Sequence, residues 1–175
     1  MKVRLIIKAL RVLSFALMSL VLGVSCSTEQ SSKQETYVVC TTNIIANVAR
    51  EVLPQDIEVI SLMGAGVDPH LYKAGHKDLE YLQNAKVIVE NGLHLEGKMA
   101  EVLVKLQRYK TVIRMSDGMD ERALIKISED IYDPHIWFDL TLWADGALHV
   151  KNELVKIYPG WTEKLDANSS VRASI

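Results

Sequence analysis

The pattern of apolar and polar positions from residue 37 onward alternates between two periods. Short apolar runs rich in branched side chains predict four β-strands, at residues 37–41, 57–62, 86–90 and 111–115. Between these runs, apolar residues recur every three or four positions and predict helices at residues 43–53, 77–84 and 95–108. Thr42 or Asn43 can cap the first helix, Pro54 ends it, and its apolar face is expected to contain Ile44, Ile45, Val48 and Val52.

The alternation of strands and helices predicts the fold class. We expect a single α/β lobe with a parallel sheet of roughly four strands flanked by helices, each helix crossing between two neighbouring strands. Runs such as residues 86–89 are almost entirely apolar, which fits a sheet that is covered on both faces. Open parallel sheets bind ligands beyond the carboxyl ends of their strands, so a site is expected in the loops after the second and fourth strands.

The last periodic segment begins at Leu140, and Asp139 can cap it. A helix of about five turns before Pro159 is predicted by apolar residues at steps of three and four, namely Leu140, Trp143, Ala147, Val150, Leu154 and Ile157. Trp137 and Trp143 are expected to pack on this helix rather than to form a ligand cage. If no second lobe covers this helix, we expect its apolar stripe to be left exposed.

The N-terminal residues have the pattern of a secretory signal. Four basic residues precede an uncharged apolar run at residues 12–24, which predicts a signal peptide at residues 1–25. This run is shorter than the ~20 residues that a membrane-spanning helix needs, and an uncleaved anchor is the alternative. The end of the run resembles a lipoprotein signal that would lipidate Cys26, although Gly23 stands where an aliphatic residue is usual. Residues 26–36 then read as a polar tether, with secretion without lipid as the alternative.

Charge and cysteine content narrow the function further. Removing the predicted signal peptide changes the formal net charge from −2 to −6, because it contains four Lys and Arg residues and no Asp or Glu. An acidic mature protein without a basic patch is not expected to bind nucleic acid. Cys26 would be consumed by lipid and Cys40 would stand alone in an apolar strand, so we expect no disulfide.

The tripeptide Asp-Pro-His occurs twice, at residues 68–70 and 133–135. Proline fixes φ and restrains the residue before it, so each copy holds its histidine in a stiff turn. His70 and His135 are therefore candidate metal ligands, since neutral imidazole binds Mn(II), Fe(II) and Zn(II). Asp68 and Asp133 either orient the two rings or only close the turns. One such histidine alone would more often cap a turn, but two identical tripeptides at one sheet edge favour a shared ion.

The other ionisable candidates have simpler explanations. His76, His94 and His149 are expected to be surface or packing residues. Glu90 and Glu96 are candidates for contacting the metal ligands without binding the ion themselves. The dipole of the following helix, however, accounts for acidic residues near its N-terminus.

Four blocks resemble, in family order, the cluster of zinc and manganese substrate-binding proteins of ABC importers once called adhesins. They are residues 38–45 (VVCTTNII), 62–70 (LMGAGVDPH), 91–96 (NGLHLE) and 133–139 (DPHIWFD). The resemblance covers roughly residues 37–168. It implies two α/β lobes joined by one long helix, with a metal ion held between the lobes.

Carried onto this chain, the resemblance makes His70 and His135 the first two of four ligands. The other two, a His or Glu and then an Asp, belong to the family's second lobe. Residues 37–138 correspond to the N-terminal metal-binding lobe, and residues 139–168 to the start of the helix between the lobes. No second sheet follows, so residues 169–175 are interpreted as an aberrant or disordered tail. We therefore expect a truncated gene, a frameshift or an error in the gene model.

The resemblance also implies the function. We expect an extracytoplasmic solute-binding component of an ABC importer for a divalent transition metal, and not an enzyme. Its expected partners are the metal ion, a permease in the cytoplasmic membrane, and the membrane itself through the lipid anchor. Its expected location is periplasmic or on the outer side of the cytoplasmic membrane. Residues 116–132, which are polar and irregular, contain no His. Zinc-specific members often carry a His-rich loop, so this favours manganese, iron or broad selectivity.

Three alternatives stay open. A surface adhesin without a transport role is one, because of the family's older name. A metallohydrolase would need a third ligand and a general base, and no His-Glu-x-x-His or comparable spacing occurs. A non-functional remnant is the third, in which an exposed apolar stripe on the last helix would favour aggregation.

Overall fold

The computed structural model describes residues 37–163. The predicted signal peptide, the tether with Cys26 and the tail at residues 169–175 lie outside the described residues, as do residues 164–168 of the segment interpreted as the start of the helix between the lobes. Within residues 37–163, no helix has both the length and the apolar character needed to cross a membrane.

Four parallel strands form the central sheet: β1 (Tyr37–Thr42), β2 (Glu58–Met63), β3 (Val87–Glu90) and β4 (Val112–Arg114). The helices are α1 (Asn43–Val52), α2 (His76–Asn84), α3 (Ala100–Leu106) and α4 (Leu140–Ile157). The predicted α/β fold with a four-stranded parallel sheet is therefore confirmed. Every strand bound lies within about one residue of its prediction, because branched apolar runs favour a pleated, buried chain.

The strands lie in the order β2-β1-β3-β4. Because β1 separates β2 from β3, the prediction that every helix joins adjacent strands is wrong at α2. Spacing along the chain carries no information about which strands become neighbours. The direction of winding reverses between β1 and β3, and a reversal of this kind opens a crevice at the carboxyl ends of the strands. Thr41 and Asn91 lie at this crevice.

Alternate residues of β1 enter two hydrophobic cores on opposite faces of the sheet. Val38 and Cys40 pack in the core that contains residues of α1 and α4, whereas Tyr37 and Val39 pack with residues of α2 and α3. Both faces are therefore covered, as the almost continuous apolar strands indicated.

The cap of α1 is Thr42, whose hydroxyl oxygen accepts a hydrogen bond from the amide of Ile45. The buried face of α1 contains Ile45, Ala46, Ala49 and Val52. Ile44 does not belong to it and is 40% exposed, which corrects the predicted face. Successive residues of a helix point about 100° apart, so Ile44 and Ile45 cannot both face the core squarely.

The helix predicted at residues 95–108 is shorter and begins later. A 3-10 turn at Gly97–Met99 precedes α3, which spans only Ala100–Leu106. Leu93 and His94 have positive φ angles of 51° and 63°, and Gly97 has a φ of 25°. A right-handed helix cannot contain these angles, so the regular α-helix begins only after them.

Residues 116–132 are not wholly irregular, which corrects the prediction for this segment. They contain two 3-10 turns and a small antiparallel sheet of β5 (Lys126–Ser128) and β6 (Ile131–Tyr132). Ile125, Ile127 and Ile131 are exposed there. Such short strands without a buried face leave too little period-two pattern to be recognised in a sequence.

The last helix, α4, begins where predicted. Asp139 caps it, its carboxylate accepting hydrogen bonds from the amides of Thr141 and Leu142. The predicted stripe packs against the core of the lobe through Trp143, Ala147, Val150 and Leu154, which are all buried. The expectation that this stripe is exposed is therefore wrong, because the helix lies on the sheet. Leu140, at the helix start, is 61% exposed and does not belong to the buried face.

Candidate metal centre

The two Asp-Pro-His turns are closed in the same way. In the first, a side-chain oxygen of Asp68 accepts a hydrogen bond from the amide of His70 at 2.9 Å. In the second, Asp133 accepts from the amide of His135 at 3.0 Å. An aspartate bonded to the amide two residues later is a common turn-closing arrangement, and the intervening proline stiffens it.

The structure brings the side chains of His70 and His135 together. Their Nε2 atoms are 3.5 Å apart, and their ring centroids are 5.5 Å apart at an interplanar angle of 65°. Zinc holds imidazole nitrogen at about 2.0–2.1 Å in tetrahedral sites, which places two such nitrogens about 3.3 Å apart. Both side chains are exposed, so an ion from solution can reach the two nitrogens.

The two aspartates differ in how they contact the imidazoles. Asp133 also contacts the ring of His135, with 2.6 Å between its Oδ1 and the ring Nδ1. The hydrogen bonds from the amide and the ring of His135 lower the pKa of Asp133 below its usual value. When Nδ1 donates its proton to this carboxylate, the neutral ring presents a lone pair at Nε2, which faces His70. The hydrogen bond from Asp68 goes to the backbone of His70.

One aromatic side chain supports the second histidine. Trp137 contacts the ring of His135 edge-on, with centroids 5.2 Å apart, and also packs against the core below. Trp143 is buried in that core. Both tryptophans therefore pack as apolar groups, although Trp137 also restricts the His135 ring.

The pair offers two nitrogen atoms as candidate donors. Within the described part of the chain, no group of three or more His, Cys, Asp or Glu side chains is arranged to hold a metal ion. His76 and His94 are exposed, and His149 lies half-buried on α4. Cys40 is buried in β1, and burial raises the pKa of its thiol to about 12, so it stays protonated inside the core.

A buried carboxylate that the sequence explained as a dipole effect lies at the crevice between β1 and β3. Glu96 is 2% exposed and accepts hydrogen bonds from the Thr41 hydroxyl at 2.7 Å and from the Asn91 amide at 2.6 Å. Burial raises the pKa of Glu96, and the bonds from Asn91 and Thr41 oppose this. Glu96 directly precedes the 3-10 turn at Gly97–Met99, as the dipole interpretation requires, and it also bonds the ends of two strands. The sequence signal for a polar site at this crevice was the block NGLHLE, whose first residue, Asn91, is polar and directly follows the buried strand β3.

Glu90 is a second buried acid, at the end of β3. It pairs with Arg114 at 2.7 Å. Burial and the nearby charge of Glu96 raise its pKa to about 7, against the opposing effect of Arg114. A cavity of about 390 Å³ opens beside this pair and is also lined by His94, Asp130 and other residues. Glu90 is the last residue of β3, and none of the hydrogen bonds described for it reaches His70 or His135.

The fold and the paired imidazoles define an α/β ligand-binding lobe, and comparison with known proteins identifies its family. The model of the family described as "Zinc-uptake complex component A periplasmic" matches residues 38–171. The chain belongs to this family, whose members are solute-binding components rather than enzymes.

Named relatives agree with this assignment. The chain is 41% identical over 127 residues to the zinc-binding protein TroA of Treponema pallidum, covering 73% of this chain and 41% of TroA. It is 36% identical over 148 residues to the manganese-binding lipoprotein MntA of Bacillus subtilis, covering 82% of this chain and 48% of MntA. The solved structure of the periplasmic TroA of Treponema pallidum superposes with a TM-score of 0.74 at 38% identity, over 79% of this chain and 50% of that one. The chain thus spans about half the length of the relatives it matches.

Proposed function

We propose that the chain supplies the metal-capturing lobe of an extracytoplasmic solute-binding component of an ABC importer. Its cargo is a divalent transition metal ion. The observation that carries the proposal is the 3.5 Å separation of the Nε2 atoms of His70 and His135. Relatives are named as zinc-binding, manganese-binding and iron-transporter proteins. Zinc and manganese are therefore the first candidate cargoes, and iron is the third.

His70 and His135 bind the ion through Nε2, and Asp133 keeps His135 in the tautomer that binds. Asp68 closes the turn that contains His70 by accepting a hydrogen bond from the His70 amide. No bond is made or broken, since capture requires only that the ion exchange water for imidazole. Two nitrogens supply half of a tetrahedral shell, so this pair by itself holds the ion weakly.

The remaining parts of the proposal concern how the lobe is used. Residues 37–138 are the metal-binding lobe, and the helix that follows is the start of a connection between lobes. Cys26 carries a lipid that keeps the protein on the outer side of the cytoplasmic membrane, and a permease in that membrane receives the ion. The lipoprotein names of two relatives support the lipid anchor.

Calorimetric titration with Zn(II) and Mn(II) tests the ligand assignment. The 175-residue chain is expected to bind weakly, and His70→Ala or His135→Ala each abolishes the measured heat. His76→Ala is the matched control, because it removes an exposed imidazole from α2. Tight binding that survives His70→Ala would contradict both the weakness and the assignment. Deleting the gene and measuring metal uptake separately from binding to host surfaces distinguishes transport from adhesion.

A further inference from the structure

Residues 91–97 take an unusual path between the two histidine turns. Gly92, Leu93 and His94 have successive positive φ angles of 82°, 51° and 63°. Two of these are not glycine, and the left-handed region is unfavourable for such residues unless surrounding contacts enforce it. Contacts with other parts of the chain are therefore needed to hold this segment in its backbone conformation.

The buried carboxylate of Glu96 supplies one such contact. It bonds the Thr41 hydroxyl at the end of β1 and the amide of Asn91 just after β3. The carbonyl of Asn91 also accepts from the amide of Ser116, just beyond β4. Residues 91–97 are thus anchored to the ends of three strands of the sheet.

One end of the segment holds the second histidine turn. The side-chain nitrogen of Asn91, which is fully buried, donates to the carbonyl of Pro134 at 3.0 Å. This carbonyl belongs to the residue immediately before His135. Asn91 uses the same nitrogen for the carbonyl of Gly92 at 3.1 Å, while its Oδ1 is buried without a hydrogen-bond partner. The amide is therefore placed for donation towards the turn, even though its acceptor oxygen is left unsatisfied.

The other end of the segment lies against the first histidine turn. A Cβ added at Gly97 would overlap the carbonyl oxygen of His70 and would lie 3.1 Å from its carbonyl carbon and 3.3 Å from its Cα. Glycine allows this approach because it has no side chain, and its φ of 25° is one that other residues rarely adopt. The backbone of His70 therefore lies directly on Gly97.

We propose that residues 91–97 are a positioning element that sets the separation of the two candidate ligands. Asn91 acts through the Pro134 carbonyl on His135, and Gly97 acts by close contact on the backbone of His70. The element deepens the proposed function and rests on it, because the imidazole separation matters only if the two rings share an ion. The hydrogen bond between Thr41 and Glu96 fixes this element at the crevice of the sheet, and both turns contact the element there.

The test uses the full chain with Asn91→Ala and Gly97→Ala. Leu106→Ala is the control for general destabilisation, since Leu106 is buried at the far end of α3. The ring 1H–13C signals of His70 and His135 are assigned with the His→Ala variants and are measured without metal. Zn(II) titrations follow.

Asn91→Ala is expected to shift the His135 ring signal more than that of His70, and Gly97→Ala the His70 signal more than that of His135, since each ring also feels its neighbour. Asn91→Ala is expected to weaken Zn(II) binding by about tenfold, the lower end of the usual effect of losing an outer hydrogen-bond partner. Gly97→Ala, which displaces the His70 backbone, is expected to weaken binding by a similar factor. Leu106→Ala should change neither ring signal selectively. If Asn91→Ala does not fold, Gly97→Ala and the milder Asn91→Ser decide the proposal by the same selective pattern.

Unchanged ring signals in the folded variants, or a selective shift of one ring in Leu106→Ala, would overturn the positioning role. Failure of the proposed function looks different, because His70→Ala and His135→Ala would then leave Zn(II) binding intact. The ring signals measured without metal would still report on Asn91 and Gly97.

Discussion

The two Asp-Pro-His turns have the same three residues but different surroundings. The His70 turn lies in an exposed loop after β2, and its aspartate bonds the backbone amide of His70. The His135 turn is braced by an aspartate on the imidazole, by Asn91 on the backbone and by an edge contact between Trp137 and the ring. Identical local sequence therefore produces one lightly supported and one heavily supported histidine. The His135 ring is therefore held by more side-chain contacts than the His70 ring.

Substitutions at two glycines with similar φ angles test the difference in packing around the turns. Gly66, in the loop before His70, has a φ of 79° and open space around an added Cβ, whereas Gly92 has a φ of 82° and a Cβ there would overlap the Ser116 hydroxyl. Gly92→Ala is expected to reduce the free energy of unfolding by about 3 kcal/mol, from strain and overpacking together. Gly66→Ala is expected to reduce it by about 1 kcal/mol, from strain alone. Urea denaturation measures both, and equal losses would contradict the contrast.

The two aspartates offer a second test of the same contrast. Asp133→Asn removes the carboxylate that orients the His135 ring and is expected to weaken Zn(II) binding by about 10–100-fold. Asp68→Asn retains a side-chain oxygen that can accept from the His70 amide, so a change of less than about threefold is expected. Calorimetry on the two variants decides, and a larger loss for Asp68→Asn would reverse the assignment of the better-supported ligand.

The buried acid at the end of β3 predicts a pH dependence of stability. Burial raises the pKa of Glu90 to about 7 from its usual 4.5, so the folded state retains a proton that the unfolded state loses between these values. The stabilisation is complete below about pH 4.5 and disappears as the pH rises through 7, a change of about 3 kcal/mol. Glu96, Arg114 and Asp117 are the charges that act on this group.

Glu90→Gln keeps the shape of the protonated side chain and cannot titrate. Its free energy of unfolding, measured by urea between pH 5 and 8, is therefore expected to fall less steeply with pH than that of the unchanged chain. Parallel slopes would show that Glu90 does not titrate in this range. Arg114→Gln is the companion variant, and it should steepen the slope because the guanidinium opposes the rise in pKa.

The smallest expected effect concerns the neighbours of the two rings. Trp137→Leu removes the edge contact with His135 and is expected to weaken Zn(II) binding by about threefold, the lower end of what an aromatic pair contributes. Leu71, the residue after His70, is 64% exposed, and Leu71→Ala should leave binding unchanged. Calorimetry measures both, and an equal effect of the two substitutions would argue against ring restraint by Trp137.

Several elements could be predicted because their causes are local. The four apolar runs became the four sheet strands, Asp139 caps α4, and Thr42 caps α1. Family membership was also foreseen from four short blocks, and the family model confirms it. The roles of His70 and His135 as ligands stay predictions, although their ring nitrogens lie close together.

The errors occur where distant contacts override local preference. Left-handed backbone at Leu93 and His94 delays α3, and the sheet order separates β2 from β3. The hydrogen bond between Glu96 and Thr41 joins residues 55 positions apart in the chain and was not expected from the sequence. Only a folded chain brings those groups within hydrogen-bond distance.

The sequence by itself determined the α/β class, the stiff turns around the two histidines and the family, because periodicity, proline and short motifs act over a few residues. The tertiary structure decided that the two imidazoles face each other and that residues 91–97 lie between the turns. It also decided that Asp133 bonds the ring of His135, whereas the hydrogen bond described for Asp68 goes to the His70 backbone. These features depend on which strands become neighbours, and strand order follows from the packing of the whole sheet rather than from any segment of it.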